Sequence, residues 1–128
     1  MAFLLPKLVG ALTQAGKAMK LTTVDLQILL SLAGRPLHGY GIKLDVAERT
    51  EGEMKLGSGT LYEAIQRLEQ RALIAEASPP AGQQADPRRR YYRLESAGER
   101  LVREELGRLA AVVKYGQALD LLPGQEEA

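Results

Sequence analysis

The chain has 128 residues, 45% of them apolar and 26% charged, with a formal net charge of +1. That length supports one compact core with appendages, not two full domains, and the balance is that of a folded, soluble chain. With no cysteine and a single histidine, His38, disulfides and thiolate metal centres are excluded and a histidine-built metal or acid/base site within one chain is disfavoured. No cofactor, no metal and no enzymatic activity are expected.

The charge is uneven. Residues 1–56 and 57–93 each carry a net +2, and residues 94–128 a net −3, a distribution that fits a basic working surface with a neutral or acidic end. The opening residues are apolar, but no basic region precedes them and Pro6 and Lys7 interrupt them. The run is far short of the roughly 20 residues that a bilayer crossing needs, so a cytoplasmic protein without membrane contact is expected. Leu5, Leu8, Val9, Leu12, Ala15 and Met19 instead mark a helical stripe, predicting an amphipathic helix over 1–20.

Thr22 or Thr23 is placed to cap a second helix in which Leu26, Leu29, Leu30 and Ala33 recur at helical spacing, and the Gly-Arg-Pro at 34–36 stops it. Gly39 opens the next, with Tyr40, Leu44 and Ala47 on one line and Ile42 and Val46 beside it, ending at Glu51 and Gly52. The stretch GSGTLYEAIQRLEQRALI, 57–74, gives a third helix with two faces. Leu61, Ile65, Leu68 and Ala72 form its apolar stripe, while Thr60, Glu63, Arg67 and Gln70 lie opposite. Ser58 is predicted to cap it, and the small Gly57 and Gly59 let its start approach another surface closely, where free N–H groups and the helix dipole favour a phosphate.

From Leu73 the period shortens. LIAEAS reads as a short strand, the segment 79–87 as a loop by its Pro, Gly and Asp content, and RRRYYRL, 88–94, as a returning strand, together a two-stranded hairpin. Tyr91 and Tyr92 should face opposite sides of that strand, one of them into the core. Ser96 or Glu95 then starts a last helix with a stripe of Leu101, Val102, Leu106, Leu109, Val113 and Gly116, which fades at Pro123. Three helices followed by a hairpin is the winged-helix order, in which the third helix reads the major groove and the wing lies along the backbone. The expected fold is therefore mainly α with a small β-hairpin: an N-terminal helix over 1–20, a winged helix-turn-helix domain over 21–94, a C-terminal dimerisation helix over 95–122 and a polar tail over 123–128.

On that arrangement Arg88, Arg89 and Arg90 stand at the base of the wing to meet phosphates, Arg67 reaches for a guanine edge, and Ser58 and Thr60 bond phosphate or base. The predicted DNA-facing set is completed by Tyr40, Gly59, Tyr62 and Glu63. The Tyr62 ring can equally pack beneath the wing, and Glu63 either accepts from a cytosine amino group or repels phosphate. His38 is read as a turn residue rather than a ligand.

ILLSLAGRPLHGYGIKLDV, GSGTLYEAIQRLEQRALI and RRRYYRLESAGERLV resemble, in order, the Pro-Leu-His-Gly-Tyr link, the Gly-Thr-Leu-Tyr recognition helix and the Arg-Tyr-Tyr-x-Leu wing of the PadR-like transcriptional regulators. The likeness spans residues 21–109. Ser58 stands where many members have proline, and Glu95 where the family usually has threonine, which leaves Ser96 to take over the cap of the last helix. The resemblance implies a homodimer, usually a repressor, binding double-stranded DNA at an inverted repeat. It also implies a dimer contact in the last helix, here Leu101, Leu106, Leu109 and Val113, to which the unexplained stripe of Leu5, Leu8 and Leu12 is added. Family members often sense a small aromatic or hydrophobic effector near that interface, where this chain offers Tyr115 alone. The alternative from another class is a winged-helix protein–protein interaction module. The two separate on whether Arg67 and Arg88 to Arg90 form one continuous basic face across a two-fold dimer or are broken up by Glu63, Glu69 and Asp86.

Overall fold

Thr22 caps the first helix of the structure, α1 (Thr23–Gly34): its Oγ1 accepts from the Asp25 N–H at 3.0 Å while Asp25 Oδ2 accepts from the Thr22 N–H at 3.4 Å, a reciprocal capping box. The computed structural model describes residues 20–82 and 88–124. The predicted N-terminal helix, with Leu5, Leu8 and Leu12, lies outside the described residues, as do Asp86 and the end of the polar tail. Helix α1 buries Leu26, Ile28, Leu29 and Leu32, whereas Ala33, expected on the apolar line, is exposed. The helix stops at Gly34 because Arg35, preceding Pro36, is held extended.

A two-residue strand, β1 (Leu37–His38), leads into α2 (Gly39–Arg49), which turns Ile42 and Val46 into the core. The predicted line of Tyr40 and Leu44 faces outward instead, both being more than half exposed. Arg49 fastens α2 to α1. Its Nε donates to Asp45 Oδ2 at 2.8 Å, its Nη1 to Gln27 Oε1 at 2.8 Å, and its Nη2 to the Gln27 carbonyl at 2.9 Å and to Ser31 Oγ at 2.7 Å.

Helix α3 (Ser58–Gln70) buries Leu61, Ala64, Ile65 and Leu68. Two local expectations are corrected here. The N-cap is Gly57 and carries no side-chain cap bond, so Ser58 is already the first helical residue. The helix also ends before Ala72, which sits exposed at φ 57° in the reversal, and Leu73 takes its place in the core.

Strands β2 (Ile74–Ala77) and β3 (Tyr91–Leu94) pair antiparallel, Ile74 opposite Leu94 and Ala77 opposite Tyr91. On the other edge of β3 lies β1, with Leu37 opposite Tyr92 and His38 opposite Tyr91, so the sheet has three strands in the order β1-β3-β2 rather than the two expected. Both tyrosines are consequently buried, Tyr92 within the main core and Tyr91 with its ring 5.2 Å from that of His38, edge to face.

The last helix, α4 (Ser96–Ala118), has Glu95 and not the expected Ser96 at its N-cap; Glu95 makes no side-chain cap bond, and its N–H donates to the Leu73 carbonyl at 3.0 Å. It packs on the domain chiefly through Gly98, Leu101 and Val102 in its first turns, with Leu109 partly buried against the same core. Leu101 is thus a core residue of its own chain, 6% exposed, and is not available to the predicted dimer face. Farther along, Leu106, Val112, Val113 and Leu119 stay largely exposed.

A Cβ on Gly98 would collide with the Leu73 carbonyl oxygen, which cannot move without disturbing β2 and the turn into α4. Gly98→Ala should cost about 3 kcal/mol in urea denaturation, the upper end of overpacking. Gly107→Ala, with nothing within 4 Å of the new Cβ, should instead stabilise by about 0.5 to 1 kcal/mol.

Candidate nucleic-acid interface

With its apolar side packed inward, α3 presents the opposite side to solvent. Gly59, Glu63, Gln66 and Gln70, spaced by four, three and four, run along the middle of that exposed side. Tyr62 and Glu69 form the flank toward the sheet, and Thr60 and Arg67 the flank toward α1. Of the predicted DNA-facing residues, Ser58, Gly59 and Thr60 are all exposed in the first turn.

Arg67, half exposed on the flank toward α1, has a partner within the chain. Its Nη2 lies 2.7 Å from Asp25 Oδ1, and Asp25 is 2% exposed. The guanidinium therefore satisfies a buried carboxylate at the start of α1. Arg88, Arg89 and Arg90, exposed immediately before β3, lie across α3 from Arg67 with the Glu63 row between.

The wing arginines face a cleft of about 320 Å³ that they share with His38, Tyr40 and Tyr62. Tyr62 leans over the first turn of α2: a Cβ on Gly39 would come within 2.8 Å of its hydroxyl oxygen. This close approach explains a glycine at that position and ties α3 to α2. Burial, and then the Glu69 carboxylate, push the Tyr92 phenol beside the cleft up, with Arg90 pulling the other way.

His38 joins these parts. Its Nδ1 accepts from the Gly41 N–H at 2.9 Å, capping α2, and its ring stacks on Tyr40 with centroids 6.5 Å apart. Burial first, and then the charge of Arg89, hold the imidazole below its ordinary value of about 6.5. Three residues outside the predicted DNA-facing set, Gln66, Gln70 and His38, thus belong to this surface. The helical period itself marks Gln66, midway along the row from Gly59 to Gln70. His38 is marked only as part of the Pro-Leu-His-Gly-Tyr link, and its place here depends on the strand that it forms.

A helix with an outward polar face, followed by a hairpin whose second strand carries arginines at its entry, is the winged helix-turn-helix arrangement. Residues 28–104 match the family described as the Transcriptional regulator PadR-like family. The chain belongs to that family, one of regulators and not enzymes. It is 34% identical over 92 residues to an uncharacterised 37.1 kDa protein in transposon TN4556 of Streptomyces fradiae, covering 72% of this chain but 24% of the relative, so the chain spans about a quarter of that protein's length. Among solved structures it is similar to a PadR family transcription regulator from Clostridium difficile, at 24% identity and a TM-score of 0.63 over 77% of this chain and 98% of that one. It is also similar to Bacillus subtilis PadR in complex with operator DNA, at 19% identity and a TM-score of 0.55 over 66% of this chain and 47% of that one. Among the described residues, no helix is long and apolar enough to cross a membrane.

Two predictions follow from the placement of Arg67 and His38. Arg67→Ala strands the buried Asp25 carboxylate and should destabilise the fold by about 1 to 3 kcal/mol in urea melts, a loss that a residue serving DNA alone would not show. The fold favours neutral His38, so its contribution to stability is complete above about pH 6.5 and is lost as the pH falls through its lower folded pKa. His38→Asn, which caps without titrating, should flatten that part of the stability profile measured from roughly pH 5 to 8.

Proposed function

We propose that the chain is a dimeric repressor that binds an inverted-repeat operator, with the outward row of α3 in the major groove and the entry to β3 along the backbone. The observation that carries this reading is the pairing of two surfaces of different chemistry. The α3 row offers Gln66 and Gln70, whose amides can bond adenine in a bidentate way, and Glu63, which can accept from cytosine. Beside it Arg88 to Arg90 and Tyr40 supply contacts suited to phosphate. Ser58, Gly59 and Thr60 bring the start of α3 close to the DNA, and Tyr62 works from the cleft. Arg67 acts by holding α3 on α1. The operator-bound Bacillus subtilis relative supports DNA as the partner.

The second copy is assigned to α4 beyond the domain, where Leu106, Leu109 and Val113 continue the face that Gly98, Leu101 and Val102 bury. The stripe of Leu5, Leu8 and Leu12 covers the remainder of that face in this reading. A small aromatic or hydrophobic effector would meet the dimer at Tyr115, 69% exposed on the same helix. One observation favours the protein-interaction alternative: Glu63 and Glu69 place two carboxylates on the exposed side of α3, and Arg67 does not offset them.

Fluorescence anisotropy with DNA from upstream of the chain's own gene, over a salt series with unrelated competitor, separates the two. The repressor reading expects competitor-resistant binding with a steep salt dependence, and Arg90→Ala should reduce the salt slope by about 1. Binding indistinguishable from that of unrelated DNA would favour the protein module. Val113→Glu should convert the dimer to monomer in sedimentation, and a dimer that survives it would remove α4 as the interface.

A further inference from the structure

We propose that residues 1–19 lie antiparallel along α4 of their own chain, with Leu12 against Val112 and Leu5 against Leu119. The pairing deepens the dimer reading above and takes from it the assignment of the second copy to the other flank of α4. Leu21 is buried in the core, and the Lys20 carbonyl accepts from Arg71 Nη1 at 3.3 Å, so the chain enters the domain at a fixed point. That point is beside the middle of α4. The hydrogen bond from Arg108 first, and the charge of Lys20 as well, hold the Glu105 carboxyl below its ordinary range. A segment leading into Lys20 therefore reaches α4 at Glu105, just where the apolar side of the helix emerges from the domain.

From Glu105 onward the apolar side divides into two lines. Glu105, Val112 and Leu119 recur every seven residues on one flank and Leu106 and Val113 on the other, with Leu109 and Gly116 between them. Val112 and Leu119 are both more than half exposed, so the line that starts beside Lys20 has no cover among the described residues. The N-terminal stripe has the same spacing, because Leu5, Leu12 and Met19 also recur every seven residues. A helix from 5 to 19 and one from 105 to 119 each rise roughly 21 Å. With Met19 set at Glu105 by the entry point, Leu12 meets Val112 and Leu5 meets Leu119. The other direction along α4 is closed, since there Gly98, Leu101 and Val102 already face the core. Charge favours the same partner: residues 1–20 carry Lys7, Lys17 and Lys20 and no acidic residue, whereas residues 94–128 carry a net −3. The antiparallel direction brings Lys17 toward Glu104 and Lys7 toward Asp120.

The chain has no cysteine, so each introduced pair reports on itself alone. Under mild oxidation of the full chain, Leu12→Cys with Val112→Cys, and Leu5→Cys with Leu119→Cys, should close to intrachain disulfides that run as monomers on a non-reducing gel. The crossed pairs, Leu5→Cys with Val112→Cys and Leu12→Cys with Leu119→Cys, lie about 10 Å out of register, beyond disulfide reach, and should close about tenfold more slowly. In the single Val112→Cys variant the thiol should react with a maleimide about tenfold faster once Leu12→Glu is added, as its cover is removed. Equal closure of matched and crossed pairs, or a maleimide rate indifferent to Leu12→Glu, overturns the pairing. Covalent dimers from the matched pairs put the segment on the second copy and overturn its assignment to its own chain. Register-selective intrachain closure supports the pairing whether the chain sediments as a dimer or a monomer, and a monomer overturns the dimer reading alone.

Discussion

The hydrogen bond from the Gly41 N–H to His38 Nδ1 is the point on which the working surface depends. It starts α2 at the residue where β1 ends, and β1 is the strand that extends the hairpin into a sheet through His38 opposite Tyr91. One side chain thus fixes where the second helix begins, how the hairpin lies against it, and which ring nitrogen faces the cleft. The Arg49 bonds to Gln27 and Ser31 hold α2 to α1, and the Arg67–Asp25 pair holds α3 to α1. With both helices set against α1, the distance between the exposed row of α3 and the wing arginines is no longer free to vary.

That division of labour accounts for the modest charge of the chain. The row along α3 carries amides and a carboxylate, groups that discriminate between base edges, while cationic side chains gather beside the sheet. A net charge of +1 is compatible with such a surface because residues 57–93 carry a net +2 and residues 94–128 a net −3. Helix α4 serves another purpose. Its first turns belong to the core, and the same face continues beyond the domain as exposed leucine and valine.

Much of the fold is legible in the sequence because helical periods report which residues a helix buries. Leu61, Ile65 and Leu68 are found where the period puts them, and the Thr22 cap and the stop before Pro36 follow from local chemistry. What escapes such reading is settled by contacts between distant segments. Leu37 and His38 are too short a run to announce a strand and become one only against β3. Tyr91 is buried despite the alternation of the strand because the same β1 brings the His38 ring to it. Arg67 has a polar position by period, and its partner within the chain, Asp25, lies 42 residues away. Leu101 continues the apolar stripe of α4 without any local mark to show where the domain surface ends.

The most direct test of the account is a 1H–15N spectrum of the full chain during titration with duplex DNA from upstream of its own gene. The account predicts shifts at the amides of Gly39 and Gly41, along the row Gly59, Glu63, Gln66 and Gln70, and from Arg88 to Arg90, with α4 beyond Leu106 unaffected. Shifts confined to α4, or none at DNA concentrations well above those of the protein, would contradict it.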